Sequence, residues 1–281
     1  MFRSFIPVLS CALALAAVAN GQEYQLKKGT RIPADRVKVT GETYTAVLTP
    51  PNGGAPETVT FTTKDIAQVT MPEGSEFTTA RNLIAAGKGN EAVEAIKPAL
   101  EKTKGLMSVP GSNWPEAMMI ELDGYSVAGK SVDGVVDDAT IRKLPSADAD
   151  AVRNMVSIAA ASKDAKQTTL DAMKSIANSS ANSWITGRAW LQVGNIYANQ
   201  GKPEEAVLAW LRVPVFSGAE KDLGLRGTIA AARGMQLINA PKDGIQLLDD
   251  YVSDYPLTSA AIKELIDVEK KKLTPKQKPS A

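Results

Sequence analysis

The stretch Gly124-Tyr125-Ser126-Val127-Ala128-Gly129-Lys130-Ser131 fits the spacing G-x4-G-K-S. In a phosphate-binding loop that spacing lets backbone amides cradle phosphates, with Lys130 on the terminal ones and Ser131 on magnesium. Such a loop must follow a strand, open a helix and belong to a parallel sheet. Met118 to Leu122 passes locally as a strand, but no later strands complete a sheet. Val135-Val136-Asp137 is too close to supply the second, magnesium-binding acid. A Gly-rich turn between helices is the stronger reading. P-loop nucleotide binding is an alternative to it.

Other chemistry is bounded by absences. The 281 residues contain no His and a single Cys, Cys11. Ser-His-Asp and Cys-His catalysis and His-ligated zinc are therefore excluded. Once the N-terminal segment holding Cys11 is removed, disulfides and thiol chemistry go too. Carboxylates, Lys, Tyr and hydroxyls remain. The acid pairs Asp137-Asp138, Glu204-Glu205 and Asp249-Asp250 are sequence neighbours, which on a helix do not converge on one substrate. No EF-hand spacing occurs, since Gly134 directly follows Asp133. Tyr24, Tyr125 and the Met118-Met119 pair read as packing residues. The expectation is a chain that is not an enzyme, with no catalytic residue, no cofactor and no metal site. Lys+Arg is 32 and Asp+Glu is 31, for a net charge of +1, so no global field steers the chain to nucleic acid or anionic lipid. Lys270-Lys271-Lys272 with Lys276 and Lys278 could touch headgroups or cell-wall polymer. Lysines ending a helix also simply complement its dipole.

The segments that must position any site begin with an address. Met1-Phe2-Arg3-Ser4 precedes an apolar run from Phe5 to Ala19, then small residues up to Gly21. This is the order of a secretory signal peptide, over residues 1–21, with cleavage after Ala19 or Gly21. Val8-Leu9-Ser10-Cys11 loosely resembles a lipobox, but Leu9 is too bulky there. The run is too short for comfortable bilayer spanning, and nothing later is longer, so no integral membrane segment is expected. The implied location is periplasmic or secreted.

Residues 22–72 alternate with period two, as in Arg36 to Thr40, Tyr44 to Ala46 and Thr58 to Thr62, rich in Thr and Val. Gly41-Glu42 and the loop Pro50 to Pro56 punctuate them. Four or five strands are expected, as a small antiparallel barrel or curled sheet. Leu26-Lys27-Lys28-Gly29, Val37-Lys38-Val39 and Asp65-Ile66-Ala67-Gln68-Val69 resemble the Sm-like mini-barrels of bacterial chains. From Glu73 the period becomes 3.6. Helices are expected near 75–88, 90–104, 114–128, 132–143, 147–161, 165–178, 184–200, 203–213, 221–239, 242–254 and 258–272, with a loose basic tail over 273–281. Their short connections make neighbours antiparallel.

Trp190-Leu191-Gln192-Val193-Gly194-Asn195-Ile196-Tyr197 matches W-x2-L-G-x2-Y with Val for Leu, and Gly201-Lys202-Pro203-Glu204-Glu205-Ala206 with Trp210 follows at the expected distance. The chain resembles the tetratricopeptide repeat (TPR) family here, and more loosely at Ala80 to Ile96 and Ala232 to Pro256. The resemblance spans roughly 73–272 and implies a mostly α architecture, an irregular TPR-like α-solenoid of helical hairpins behind the β module. It implies a scaffold in the cell envelope whose concave face takes a protein or peptide partner. An envelope polysaccharide or cell-wall binding protein, with the β module as binder, is the alternative. Arg188, Gln192, Asn195 and Asn199 share one helix face, and Arg226, Arg233 and Gln236 take the corresponding face of the next repeat. By the resemblance that face is concave and, bearing three Arg and no acid, suits an acidic extended peptide. The plainer alternative pairs these arginines with acids of neighbouring hairpins.

Overall fold

The computed structural model describes residues 21–50, 53–161, 166–217, 220–255 and 260–274. Residues 1–20 of the expected signal peptide, with Cys11, lie outside the described residues, as do Pro256, Lys276 and Lys278.

The β module has six short strands: β1 Glu23–Leu26, β2 Arg31–Pro33, β3 Val37–Thr40, β4 Thr43–Leu48, β5 Glu57–Thr62 and β6 Ile66–Thr70. They form two three-stranded antiparallel sheets, in the orders β2-β1-β6 and β3-β4-β5. Of the expected small barrel or curled sheet, the antiparallel sheet is present, as two sheets, and no closed barrel forms among the described strands. No ladder joins the two sheets. Side chains close the space between them instead. Tyr44 and Phe61 face each other across β4 and β5 and stack at 5.4 Å, and Tyr24 of the other sheet meets both, at 5.7 and 6.0 Å. Six short strands cannot enclose much apolar surface alone. Leu106 and Val109, from the first long connection in the helical region, complete this core. The amide of Val69 also donates to the Pro110 carbonyl at 2.9 Å, which ties β6 to that connection.

Eleven helices follow among the described residues: α1 Ser75–Ala85, α2 Gly89–Thr103, α3 Trp114–Val127, α4 Asp138–Ile141, α5 Ser146–Ala160, α6 Gln167–Ser179, α7 Ser183–Asn199, α8 Pro203–Phe216, α9 Lys221–Leu237, α10 Pro241–Asp254 and α11 Ala260–Leu273. Several starts are readable from their caps. Pro203 and Pro241 open α8 and α10, where a missing N–H costs nothing. The side chain of Asn182 accepts the Ile185 amide at 3.1 Å to open α7. The helix expected over 132–143 shrinks to one turn, α4, because Gly134 takes φ +75° and breaks the run.

Most successive helices pack on one another, although α5 packs on α3 and α7 rather than on α6. They share a core from Phe77 to Ala231, and a second core joins α9, α10 and α11. In the α7–α8 hairpin the helices approach closely. A Cβ on Gly194 would overlap the Trp210 indole, whose Nε1 donates to the Leu191 carbonyl at 3.2 Å. Ala206 is fully buried beside it. In a linear solenoid each hairpin touches only its neighbours. Here α1 also packs on α9, and α3 is joined to α7 and α9 by Asp123, so the array folds back on itself.

Candidate functional site

The predicted groove residues are for the most part not on an open face. Arg188 is 3% exposed, and its Nη2 bonds Asp123 at 2.7 Å. Arg226 grips the same carboxylate with both Nη groups, at 2.6 and 3.2 Å. Asp123 is itself 1% exposed, so one acid from α3 holds two arginines inside the protein. Burial first, then the neighbouring Arg226 charge, pull the Arg188 guanidinium down to about 10, with Asp123 opposing, so it stays charged at neutral pH. Gln192 is buried and donates to the Ala161 carbonyl at 2.6 Å, and Asn195 bridges Gln192 to the Trp210 indole. Arg233 is half exposed but bound through Nε and Nη2 to Glu269 of α11, both at 2.7 Å. Asn199 and Gln236 are exposed. The reading of a basic face without acids is therefore corrected: Asp123 and Glu269 arrive from other hairpins and neutralise it.

The G-x4-G-K-S segment is the end of α3. The Lys130 amide donates to Tyr125 at 3.0 Å and the Gly129 amide to Ser126 at 3.1 Å, with Gly129 at φ +67°. That is a Schellman cap, in which the left-handed residue must be glycine or pay in strain. Gly124 lies within the helix against Val93 of α2. The amides of Gly129 and Lys130 thus close a helix, and the segment is preceded by helix rather than by strand.

The open site lies elsewhere. A cavity of about 1080 Å³ is bordered by α1, the first turns of α3 and α5, the α6–α7 junction and the start of α9. Its charged lining is Arg81, Glu116, Asp148, Asp150, Arg153 and Glu220, and Asn113, Asn154, Asn182, Ser180 and Ser183 add hydrogen-bonding groups. Trp184 forms part of the wall. The two arginines are engaged. Arg153 pairs with Asp150 at 3.0 Å. Arg81 bonds Glu73 at 2.7 and 3.1 Å and also bonds Glu116. Asp148 and Glu220 have no ion-pair partner among the described residues.

Burial pushes the Glu116 carboxyl up to about 7 against the pull of Arg81, and the nearby Glu73 and Glu220 carboxylates add to the rise. Hydrogen bonding from Arg81 holds Glu73 below its ordinary value against burial. Asp148 and Glu220 are both raised by burial, Glu220 also by Asp222. Burial works against the Arg81 charge, but Glu73 and Glu116 outweigh it and hold Arg81 firmly protonated. The side chains of neither Pro145 nor Glu220, the residues that open α5 and α9, cap those helices. The site therefore combines unpaired carboxylates with the first-turn amides of α5, whose Ala147 and Asp148 line it. It can take a cationic group on the former and carbonyl oxygens on the latter. No group of three or more His, Cys, Asp or Glu placed to hold a metal occurs among the described residues.

Sequence reasoning missed this site because each of its acids reads as something ordinary. Glu116 and Asp148 fall in the first turns of α3 and α5, and Glu220 sits at the start of α9, where acids complement the helix dipole. The recurrence of such acids at the start of alternate helices was the available signal. Among the described residues, no helix is long and apolar enough to cross a membrane. No family model, curated protein or solved structure matches the chain.

Proposed function

We propose that this chain is an exported, non-enzymatic scaffold that holds an extended segment of a partner protein in the cavity between α1, α3, α5, α7 and α9. Export rests on the N-terminal order of Arg3, apolar run and small residues. The scaffold role rests on the hairpin architecture and on the TPR-like residues Trp190, Gly194, Tyr197, Ala206 and Trp210. The observation that carries the site is the cavity itself, with Asp148 and Glu220 unpaired on its wall. A partner segment bearing Lys or Arg matches those carboxylates, and its backbone carbonyls match the first-turn amides of α5. The preferred peptide is therefore basic rather than acidic. Glu116 lies in an ion pair with Arg81 and assists charge balance, with no chemical step assigned to it.

Calorimetric titration with a lysine-rich and a glutamate-rich peptide of equal length tests this. The lysine-rich peptide should bind, more weakly as salt rises. Asp148→Asn with Glu220→Gln should weaken it by tenfold or more, roughly one lost charge-assisted bond. Equal binding of both peptides, or preference for the acidic one, would overturn the reading.

A further inference from the structure

The outer face of α8 carries apolar side chains that none of the described residues covers. Leu208 is 63% exposed and Val215 74%, with Leu211 half-buried beside them. These positions recur at i, i+3 and i+7, so they form one stripe. Phe216, 51% exposed, borders it and stacks on Trp190 at 6.4 Å. Leu237, 66% exposed, ends α9 one turn beyond Gly234, which abuts Val207 of α8. The opposite face of α8, with Ala206, Val207, Trp210 and Val213, is already committed to the core. A helix with apolar residues on both faces has a second surface to bury.

Charge placement names the occupant. Glu204 and Arg212 lie four residues before and four after Leu208, on the same outer face. Neither has an ion-pair partner among the described residues. Arg212 rests over the Trp190 ring at 4.2 Å. If a second α8 packs antiparallel about a two-fold at Leu208, Leu208 meets its own copy. Glu204 then falls opposite Arg212 of the second molecule, twice by symmetry. Val215 lands near the start of the opposing α8, beside its Leu237. The surface is thus complementary to itself, the requirement for an isologous interface.

We propose that α8 is a self-association surface through which two copies of this chain pair antiparallel about Leu208. Fourteen residues of helix are about 21 Å long. One such face buries less than the roughly 800 Å² per partner of a standard interface, so the dimer is weak and forms in the micromolar range. No residue of α8 lines the cavity. The proposal is independent of what the cavity holds.

Sedimentation equilibrium of the purified protein from about 1 to 200 µM tests it, a range that brackets a Kd in the tens of micromolar. The wild type should pass from monomer to dimer. Leu208→Glu should remain monomeric with an unchanged melting temperature. Glu204→Arg and Arg212→Glu should each weaken the dimer about tenfold or more through like-charge contacts. The two together should restore it. A wild type monomeric across the range would overturn the proposal, as would a dimer indifferent to Leu208→Glu. Failure of the double variant to recover would overturn the antiparallel pairing.

Discussion

Two places in this molecule gather carboxylates and guanidinium groups, and they are built to opposite ends. Along the seam of α3, α7 and α9, Asp123 meets Arg188 and Arg226 with almost no exposure on any of the three. At the cavity, Glu116, Asp148 and Glu220 face open space, with Arg81 already shared between Glu73 and Glu116. In the seam the charges are bonded within the fold and mostly shielded from water, although the Nε of Arg188 has no partner among the described residues. Removing one partner strands another in low dielectric. In the cavity, charge is left over and reachable. The difference teaches that arginine count does not locate a binding face. What matters is whether the opposing charge is already present in the fold.

The largest test of the contrast is Asp123→Asn. It leaves Arg188 and Arg226 with no directly bonded carboxylate, only the more distant charge of Asp222, and should cost about 3–5 kcal/mol, measured by urea denaturation. A cost as small as that of a surface change would mean the seam is hydrated and not closed. Next is Gly194→Ala in the hairpin that carries Arg188. The added methyl meets the Trp210 indole, and overpacking of this kind costs about 1–3 kcal/mol. A midpoint equal to wild type would show that α7 and α8 can separate freely. On the cavity side, Asp148→Asn removes an unpaired acid and should shift stability by no more than about 0.5 kcal/mol. A loss comparable to that of Asp123→Asn would place Asp148 in the structural network and erase the comparison.

A pH slope is a separate test. Glu116 titrates near 7 in the fold against an ordinary value of 4.5. Below 4.5 both folded and unfolded states hold the proton. Between 4.5 and 7 only the folded state does, so stability falls as pH rises through that window and levels off above it. Asp148, Glu220 and Asp222, all raised by burial, act in the same sense. Glu116→Gln should therefore reduce the slope without abolishing it. An unchanged slope between melting curves at pH 5 and pH 7 would show that the Glu116 carboxyl is already ionised (roughly its ordinary behaviour).

Much of the helical layout was legible from local signals. Pro203, Pro241 and the small residues at Gly194 and Ala206 fix where helices start and touch, and these act within a few residues. The strand region was legible as antiparallel strands, but the aromatic trio of Tyr24, Tyr44 and Phe61 joins two separate sheets where one small barrel or curled sheet was expected. The site was not legible, for a physical reason. Arg188, Arg226 and Arg233 lie on helix faces that look free within their own repeats. The acids that neutralise them, Asp123 and Glu269, come from α3 and α11. Nothing in local periodicity reports that α3 meets α9. The acids of the cavity were visible only as helix-start residues, since their convergence depends on that same tertiary closure.

The central claim is that the cavity, and not the α7–α9 face, receives a basic segment. The chain has four Trp, so its indole N–H signals in a ¹⁵N-labelled sample number four and are assigned by single Trp→Phe variants. Trp184 lines the cavity, Trp210 is hydrogen-bonded inside the α7–α8 hairpin, and Trp190 lies under Arg212 at the α8 surface. On titration with the lysine-rich peptide, the account predicts that the Trp184 signal moves in a saturable way while Trp190 and Trp210 stay in place. Saturable binding that moves Trp190 or Trp210 and leaves Trp184 still would contradict it.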